Sequence, residues 1–303
     1  MDLSFPNINP VIFSFSIGKI EFALRWYALS YIAGILVAWK LMQLLCKKSS
    51  LWLNESPPTT DTAIEDLMTY LILGIILGGR LGYVCFYQPS YYLHNPLDIV
   101  KVWNGGMSFH GGFLGVIVGA AVYSWKHKLD LISMGDLIAV ASPPGLLFGR
   151  LANFINGELW GKPTSSNWGI LFPSNLAQTC PEIWIGPCTR HPSQLYEAFL
   201  EGLVLWFVML IFIFFFKSFK RKGETTCIFL IGYGFFRALV EIFREPDAQF
   251  LSEINPNGYV VYFNENFGFS MGQLLSSVMI IAGVLLFMIV HLRTSPTKPQ
   301  PPE

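Results

Sequence analysis

His110, Arg150 and Arg237 are the residues of this chain best suited to chemistry on a phosphate ester. A guanidinium pairs a phosphate through two parallel N–H donors and stays protonated, so Arg150 and Arg237 suit an anion clamp and cannot serve as a base. His110 carries an imidazole, a side chain suited to taking a proton, and the glycines of Gly105–Gly112 leave a substrate room to approach it. Tyr233, Arg237 and Glu241 recur every four residues and Arg244 lies seven beyond Arg237, so all four share one helical face. Facing lipid, that stripe would cost several kcal/mol, so it is expected to turn inward. A plainer reading pairs Arg237 with Glu241 and ties Arg150 at its helix end to Glu158 in the adjoining loop. The arginines outnumber such pairs, and the surplus positive charge points to an anionic ligand. Arg80, within Gly78–Tyr83, reads either as a snorkelling interface residue or as a further headgroup contact. The histidines show no metal-ligand spacing, so neither a metal nor a cofactor is expected.

These residues must be held by membrane helices. Hydrophobic side chains make up 52% of the 303 residues and charged ones only 13%, about half the charged fraction of a soluble domain. The apolar residues fall into seven blocks near the roughly 20 residues that a helix needs to cross a bilayer. They run 26–45, 67–87, 107–125, 131–154, 195–216, 226–243 and 271–290, which predicts an all-α polytopic membrane protein with seven spans. Pro143 and Pro144 are expected to kink or break the fourth. The 20 basic and 20 acidic residues balance, which gives no sign of nucleic-acid binding.

Basic residues follow alternate spans: Lys47 and Lys48, Lys126 and Lys128, Lys217 to Lys222, then His291, Arg293 and Lys298. The positive-inside rule makes those ends cytoplasmic, with the N-terminus outside and the C-terminus inside. His110, Arg150 and the far end of the Tyr233 stripe then reach one outer depth. Residues 1–293 read as a single transmembrane domain with an ordered outer element at 155–194, and 294–303 as a disordered Pro-rich tail. The inner loop 49–66 reads as flexible. Cys180 and Cys188 fit either a disulfide in an oxidising compartment or a reduced pair. Glu197 and Glu201 open the fifth span, and Asp136 opens the fourth as a structural acid.

In these blocks the sequence resembles the bacterial phosphatidylglycerol:prolipoprotein diacylglyceryl transferases. The likeness lies in Arg25-Trp26-Tyr27, Gly78–Tyr83, Gly105–Gly112, Gly149–Trp160, Trp168-Gly169, His191–Glu197 and Tyr233–Arg237 with Glu241 and Arg244. Ala152 departs from it, since a glycine usually stands between the arginine and the asparagine of that signature. The resemblance implies an inner-membrane enzyme with its active site toward the periplasm. Its substrates would be phosphatidylglycerol and the lipobox cysteine of a prolipoprotein signal peptide, joined as a thioether with release of glycerol phosphate. It also implies functional roles for His110, Arg150, Arg237 and Tyr233, and for Tyr27, Asn153, Glu158, Gly161, Glu241 and Arg244.

A thiol with a reference value near about 8.5 needs a base or a positive field to attack carbon. His110 is the candidate base. Arg150 and Arg237 would hold the phosphate and stabilise the leaving group, with Tyr27, Tyr233 and Asn153 orienting the headgroup. The alternative class is a transporter of small anions or lipids using the same arginines. It should place polar residues at mid-depth and on both sides, whereas this cluster gathers at one face.

Overall fold

The structure, a computed structural model, describes residues 3–18, 20–180, 184–246, 250–252, 255–264 and 267–294. Of the Pro-rich tail expected to be disordered, Thr294 ends the last described helix and 295–303 lie outside the described residues. Seven long helices dominate: α1 (Trp26–Lys47), α2 (Ile64–Phe86), α3 (Phe109–His127), α4 (Leu131–Ile155), α5 (Ser193–Phe214), α6 (Glu224–Val240) and α7 (Met271–Thr294). Among the described residues, α1, α2, α4, α5 and α7 are long and apolar enough to cross a membrane. The third and sixth blocks form shorter helices, of 19 and 17 residues.

The chain is largely helical, and a few short strands accompany the helices. Among the described residues there are three two-stranded pieces: β1 (Leu3–Ser4) runs parallel to β4 (Ile170–Leu171), while β2 (Val11–Ile17) with β3 (Ile20–Arg25) and β5 (Tyr259–Asn264) with β6 (Phe267–Ser270) form antiparallel hairpins. In the first hairpin Phe13 opposes Leu24 and Phe15 opposes Phe22, so side chains two apart line one apolar face. The two prolines do not break their helix. Helix α4 runs through Pro143 and Pro144 unbroken, in a stretch where Ala139, Val140 and Ala141 are buried. Backbone freed of its hydrogen bonds is tolerated in a membrane helix where it faces protein.

The chain divides into two compact units, Trp39–Ile138 and Met1–Ala38 with Ala139–Glu303. In the first, α2 and α3 meet through glycines spaced four apart, Gly74, Gly78 and Gly82 against Gly111, Gly115 and Gly119. A methyl group on Gly115 would lie 1.9 Å from the carbonyl oxygen of Gly74, and one on Gly78 would lie 2.3 Å from that of Gly111. Backbone therefore packs on backbone, as small residues allow in membrane helix pairs. The loop after α1 is anchored at one tryptophan. Trp52 is 1% exposed and its indole N–H donates to the Leu45 carbonyl at 3.1 Å, between two short 3-10 turns.

In the second unit the outer element is organised around Arg190, which is 2% exposed. Its guanidinium donates to the carbonyls of Ala177, Thr179 and Gly161 and to Glu245, and lies 4.0 Å from the centre of the Trp160 ring. Phe172, Ile170 and Ala177 form a small core with Phe5, Phe154 and Trp160. A Cys180–Cys188 disulfide closes the neighbouring loop, which decides between the two readings of that pair. The element is joined to the end of α6 through Lys162, whose N–H donates to the Phe243 carbonyl and whose ammonium donates to that of Ile242.

Candidate functional site

Glu197 sits in the first turns of α5 with no solvent exposure and gathers three arginines. Its Oε1 accepts from Arg237 Nη1 at 2.7 Å and from Arg244 Nη1 at 2.9 Å, and its Oε2 lies 3.1 Å from Arg150 Nε. Arg237 Nη2 also reaches Glu241 Oε2 at 2.8 Å, and Arg244 Nε lies 3.5 Å from the same oxygen. The other Glu241 oxygen accepts from the Ser270 hydroxyl at 2.9 Å, just before α7 begins. Helices α4, α5 and α6 thus each deliver charge to one buried point. The Tyr233 stripe turns inward as its spacing predicts, and Arg237 and Glu241 do pair.

The three arginines are not held alike. Two of the Arg237 nitrogens are spent on carboxylates, whereas the nearest approach of Arg150 to Glu197 is through Nε. Its two terminal nitrogens, the fork that matches a phosphate, have no hydrogen-bond partner among the described residues, and 19% of its side chain is exposed. Tyr233 is buried, stacks on Phe229 and has Glu201, Arg150, Arg237 and Glu197 as electrostatic neighbours.

A second polar cluster follows along α4. Asn153, 5% exposed, donates to the Tyr27 hydroxyl at 2.7 Å and to Glu158 Oε1 at 2.8 Å. The turn that returns Glu158 toward Asn153 passes through Gly157 at φ +65° and Leu159 at φ +58°. Gln194 donates to the Glu158 carbonyl and Ser193 to that of Leu159, so the start of α5 fixes this turn. Arg150 has its contact with Glu197 and not with Glu158, contrary to the tie expected from sequence. Ala152 is fully buried beside this cluster. Gly161 serves the backbone: a methyl there would meet the Phe243 carbonyl oxygen at 2.3 Å and His191 Cβ at 2.9 Å. Nearby, His191 Nδ1 lies 3.1 Å from the Tyr196 hydroxyl. Burial, with a smaller contribution from Lys162, holds the His191 imidazole below its ordinary value.

Two predicted site residues belong to the other unit. His110 is exposed in the first turn of α3, behind Ser108, whose hydroxyl caps the helix by accepting from the Gly111 N–H. Arg80 requires a correction. It is 4% exposed, and its nitrogens donate to the carbonyls of Ile99, Gly105, Gly106, Asp98 and Lys101. Five donors on five carbonyls leave none for a headgroup. Its work is to shape the loop that leads to His110. In that loop Lys101, together with Tyr91, holds the Asp98 carboxyl below its usual range.

Sequence reading left Glu197 and Glu201 with no role beyond opening the fifth span. The available signal was an acid twice in one apolar helix, Glu197 and Glu201 in Tyr196–Gly202. The network also removes the surplus of positive charge. Arg150, Arg237 and Arg244 face three acids, Glu197, Glu201 and Glu241.

A family model described as prolipoprotein diacylglyceryl transferase matches residues 10–289. The chain is 52% identical over 294 residues to the phosphatidylglycerol–prolipoprotein diacylglyceryl transferase of Ruegeria pomeroyi, covering 97% of this chain and 98% of that one. It is 51% identical over 293 residues to one from Cereibacter sphaeroides, covering 97% and 99% of the two chains. With one from Caulobacter vibrioides it shares 43% over 295 residues, 92% of each chain. Carried by matches that span nearly the whole length, the chain belongs to the prolipoprotein diacylglyceryl transferase family.

Proposed function

We propose that this chain transfers the diacylglyceryl group of phosphatidylglycerol to the lipobox cysteine thiol of a prolipoprotein, forming a thioether and releasing glycerol phosphate. The observation that carries the reading at the level of chemistry is the terminal fork of Arg150, presented from a buried network and matched to a phosphodiester. Arg150 receives the phosphate, and Arg237 adds positive charge where the leaving oxygen becomes an anion. Tyr27, Asn153 and Glu158 orient the headgroup beside them, and Tyr233 supplies a hydroxyl to the phosphate. Glu241 and Arg244 hold Arg237 and Glu197 in register. His110 takes the thiol proton, a role assigned on chemistry: an exposed imidazole at a capped helix start.

The same reading has α3 and α6 complete a set of seven spans, with the N-terminus and the 155–194 element on the periplasmic side of the bacterial inner membrane. Two independent features support that orientation. Basic residues follow alternate spans, and the disulfide in the 155–194 element belongs in an oxidising compartment. Purified protein in detergent, mixed with phosphatidylglycerol and a lipobox peptide, is expected to yield the thioether by mass spectrometry. Arg150→Ala and Arg237→Ala are expected to lose it. Full activity in either variant, or no product from the wild type, overturns the reading.

A further inference from the structure

The turn that carries Glu158 is held by two separate parts of the chain. Glu158 stands between two left-handed residues, Gly157 at φ +65° and Leu159 at φ +58°. A non-glycine residue keeps such a φ only where its surroundings hold it there, and places of this kind gather at functional sites. From α5, the Gln194 amide and the Ser193 hydroxyl donate to the carbonyls of Glu158 and Leu159. The other hold comes from a segment distant in sequence, residues 3–8.

Phe5 is its point of contact. Its N–H donates to the Leu171 carbonyl at 3.2 Å, which continues the β1–β4 pairing. Its ring lies 5.3 Å from those of both Phe154 and Phe172, which themselves meet edge to face at 6.1 Å. Phe154 follows Asn153 directly, and its carbonyl accepts the Gly157 N–H at 2.9 Å. A methyl group on Gly157 would stand 3.8 Å from Phe5 Cζ and from Pro173 Cδ, ordinary contact distance, so Gly157 faces these two side chains. The Phe5 ring therefore meets the turn twice, at Phe154 where it starts and at Gly157. Glu158 comes next: its N–H donates to the Asn153 carbonyl at 3.1 Å, and its Oε1 accepts from the Asn153 amide at 2.8 Å.

Phe5 and Pro173 also line a cavity of about 370 Å³ that continues along Ser4, Ile8, Leu171 and Gln178. Cutting the ring back to a methyl group would open the turn to that space. The same stretch of chain holds the cluster at a second point. The Trp26 N–H donates to the Pro10 carbonyl at 3.2 Å, which closes the base of the β2–β3 hairpin and returns the start of α1 to the end of this segment. The Tyr27 hydroxyl then accepts from the Asn153 amide at 2.7 Å.

We propose that Phe5 is a positioning residue for the transfer reaction: by packing on Phe154 and facing Gly157 it keeps Glu158 at Asn153, and so sets the binding of the phosphatidylglycerol headgroup. The inference rests on the transfer reaction above and on the headgroup contacts assigned there to Asn153 and Glu158. Phe5 acts through the turn and has no part in making or breaking bonds.

The test is the steady-state kinetics of Phe5→Ala in detergent with phosphatidylglycerol and a lipobox peptide, alongside thermal midpoints. Expected are a KM for phosphatidylglycerol raised about 10-fold and a kcat within about twofold of wild type, the pattern of lost ground-state binding. Phe5→Leu keeps apolar bulk but lacks the ring tip that faces Gly157. It is expected to fold even where Phe5→Ala does not, and to raise KM about threefold. Adding Glu158→Gln to either variant is expected to give a KM no higher than Glu158→Gln alone, since both act at one contact. Ile8→Ala, in the same segment, is expected to keep the wild-type KM. A wild-type KM in Phe5→Ala or Phe5→Leu overturns the proposal, whatever the thermal midpoint shows. So does an equal KM rise in Ile8→Ala, or a double variant whose KM is the product of the single effects. Absence of thioether from the wild type overturns the transfer reading and this inference with it, whereas the other results leave the reaction in place.

Discussion

The seam between α2 and α3 and the arginine network among α4, α5 and α6 solve helix packing in opposite ways. The seam is built by removing side chains, so each helix has one place to sit. The network is built by burying charged side chains that share partners: Arg237 and Arg244 each reach both Glu197 and Glu241, and Glu197 also meets Arg150. Backbone contacts are stiff because no rotamer can absorb a change. Shared ion pairs are adjustable, because an incoming anion can replace a carboxylate without moving a helix. The second kind of packing suits a site that must bind and let go.

The comparison breaks most severely at Gly115. Gly115→Ala places a methyl group 1.9 Å from a carbonyl oxygen, with backbone on the other side and nothing able to yield. A loss of more than about 3 kcal/mol is expected, read as a collapse in the yield of folded protein from detergent. Gly112→Ala, whose methyl would meet its nearest neighbour at 3.7 Å, should fold normally. If Gly115→Ala is as stable as Gly112→Ala, the seam is not backbone on backbone.

A middle-sized effect is expected at the hub. Glu197→Gln removes the charge shared by three arginines and leaves them facing one another in a buried site. Removing one partner from a buried ion network costs about 3–5 kcal/mol, so the thermal midpoint in detergent should fall markedly and activity with it. A stable Glu197→Gln protein with ordinary phosphatidylglycerol KM would show that the network is decoration around the site.

The smallest effect separates the outer element from both regions. His191 protonates less readily folded than unfolded, because it is buried and near Lys162. Its contribution to stability is whole above its ordinary value of 6.5 and is lost as pH falls through the lower folded value. A shallow drop in thermal midpoint on acidification is therefore expected, and His191→Asn should flatten it. An unchanged slope in that variant would place the titrating group elsewhere.

Local patterns carried much of this from sequence. The four-residue spacing of Tyr233, Arg237 and Glu241 is a property of one helix, so the shared face and the Arg237–Glu241 pair were legible without a fold. Glu197 was not, because its partners are 47, 40 and 47 residues away and only tertiary packing brings them together. Arg80 looked like its fellow arginines because composition cannot distinguish a guanidinium reserved for ligand from one spent on backbone carbonyls. The hairpin Val11–Arg25 went unread because attention to apolar blocks passes over the two-residue alternation of Ile12, Ser14 and Ser16 against Phe13 and Phe15. The surplus of positive charge was a count of basic residues along the sequence. In three dimensions two acids from another helix join it, and the useful quantity becomes which nitrogen of which arginine is left unspent.

The glycine seam also decides where lipid does not travel. Along Gly74–Gly82 and Gly111–Gly119 the helices touch main chain to main chain, and no crevice there admits a methylene chain. A hydrocarbon tail entering with its headgroup, or departing on a modified protein, cannot thread between α2 and α3. The α2–α3 seam is a door closed to acyl chains by main chain alone.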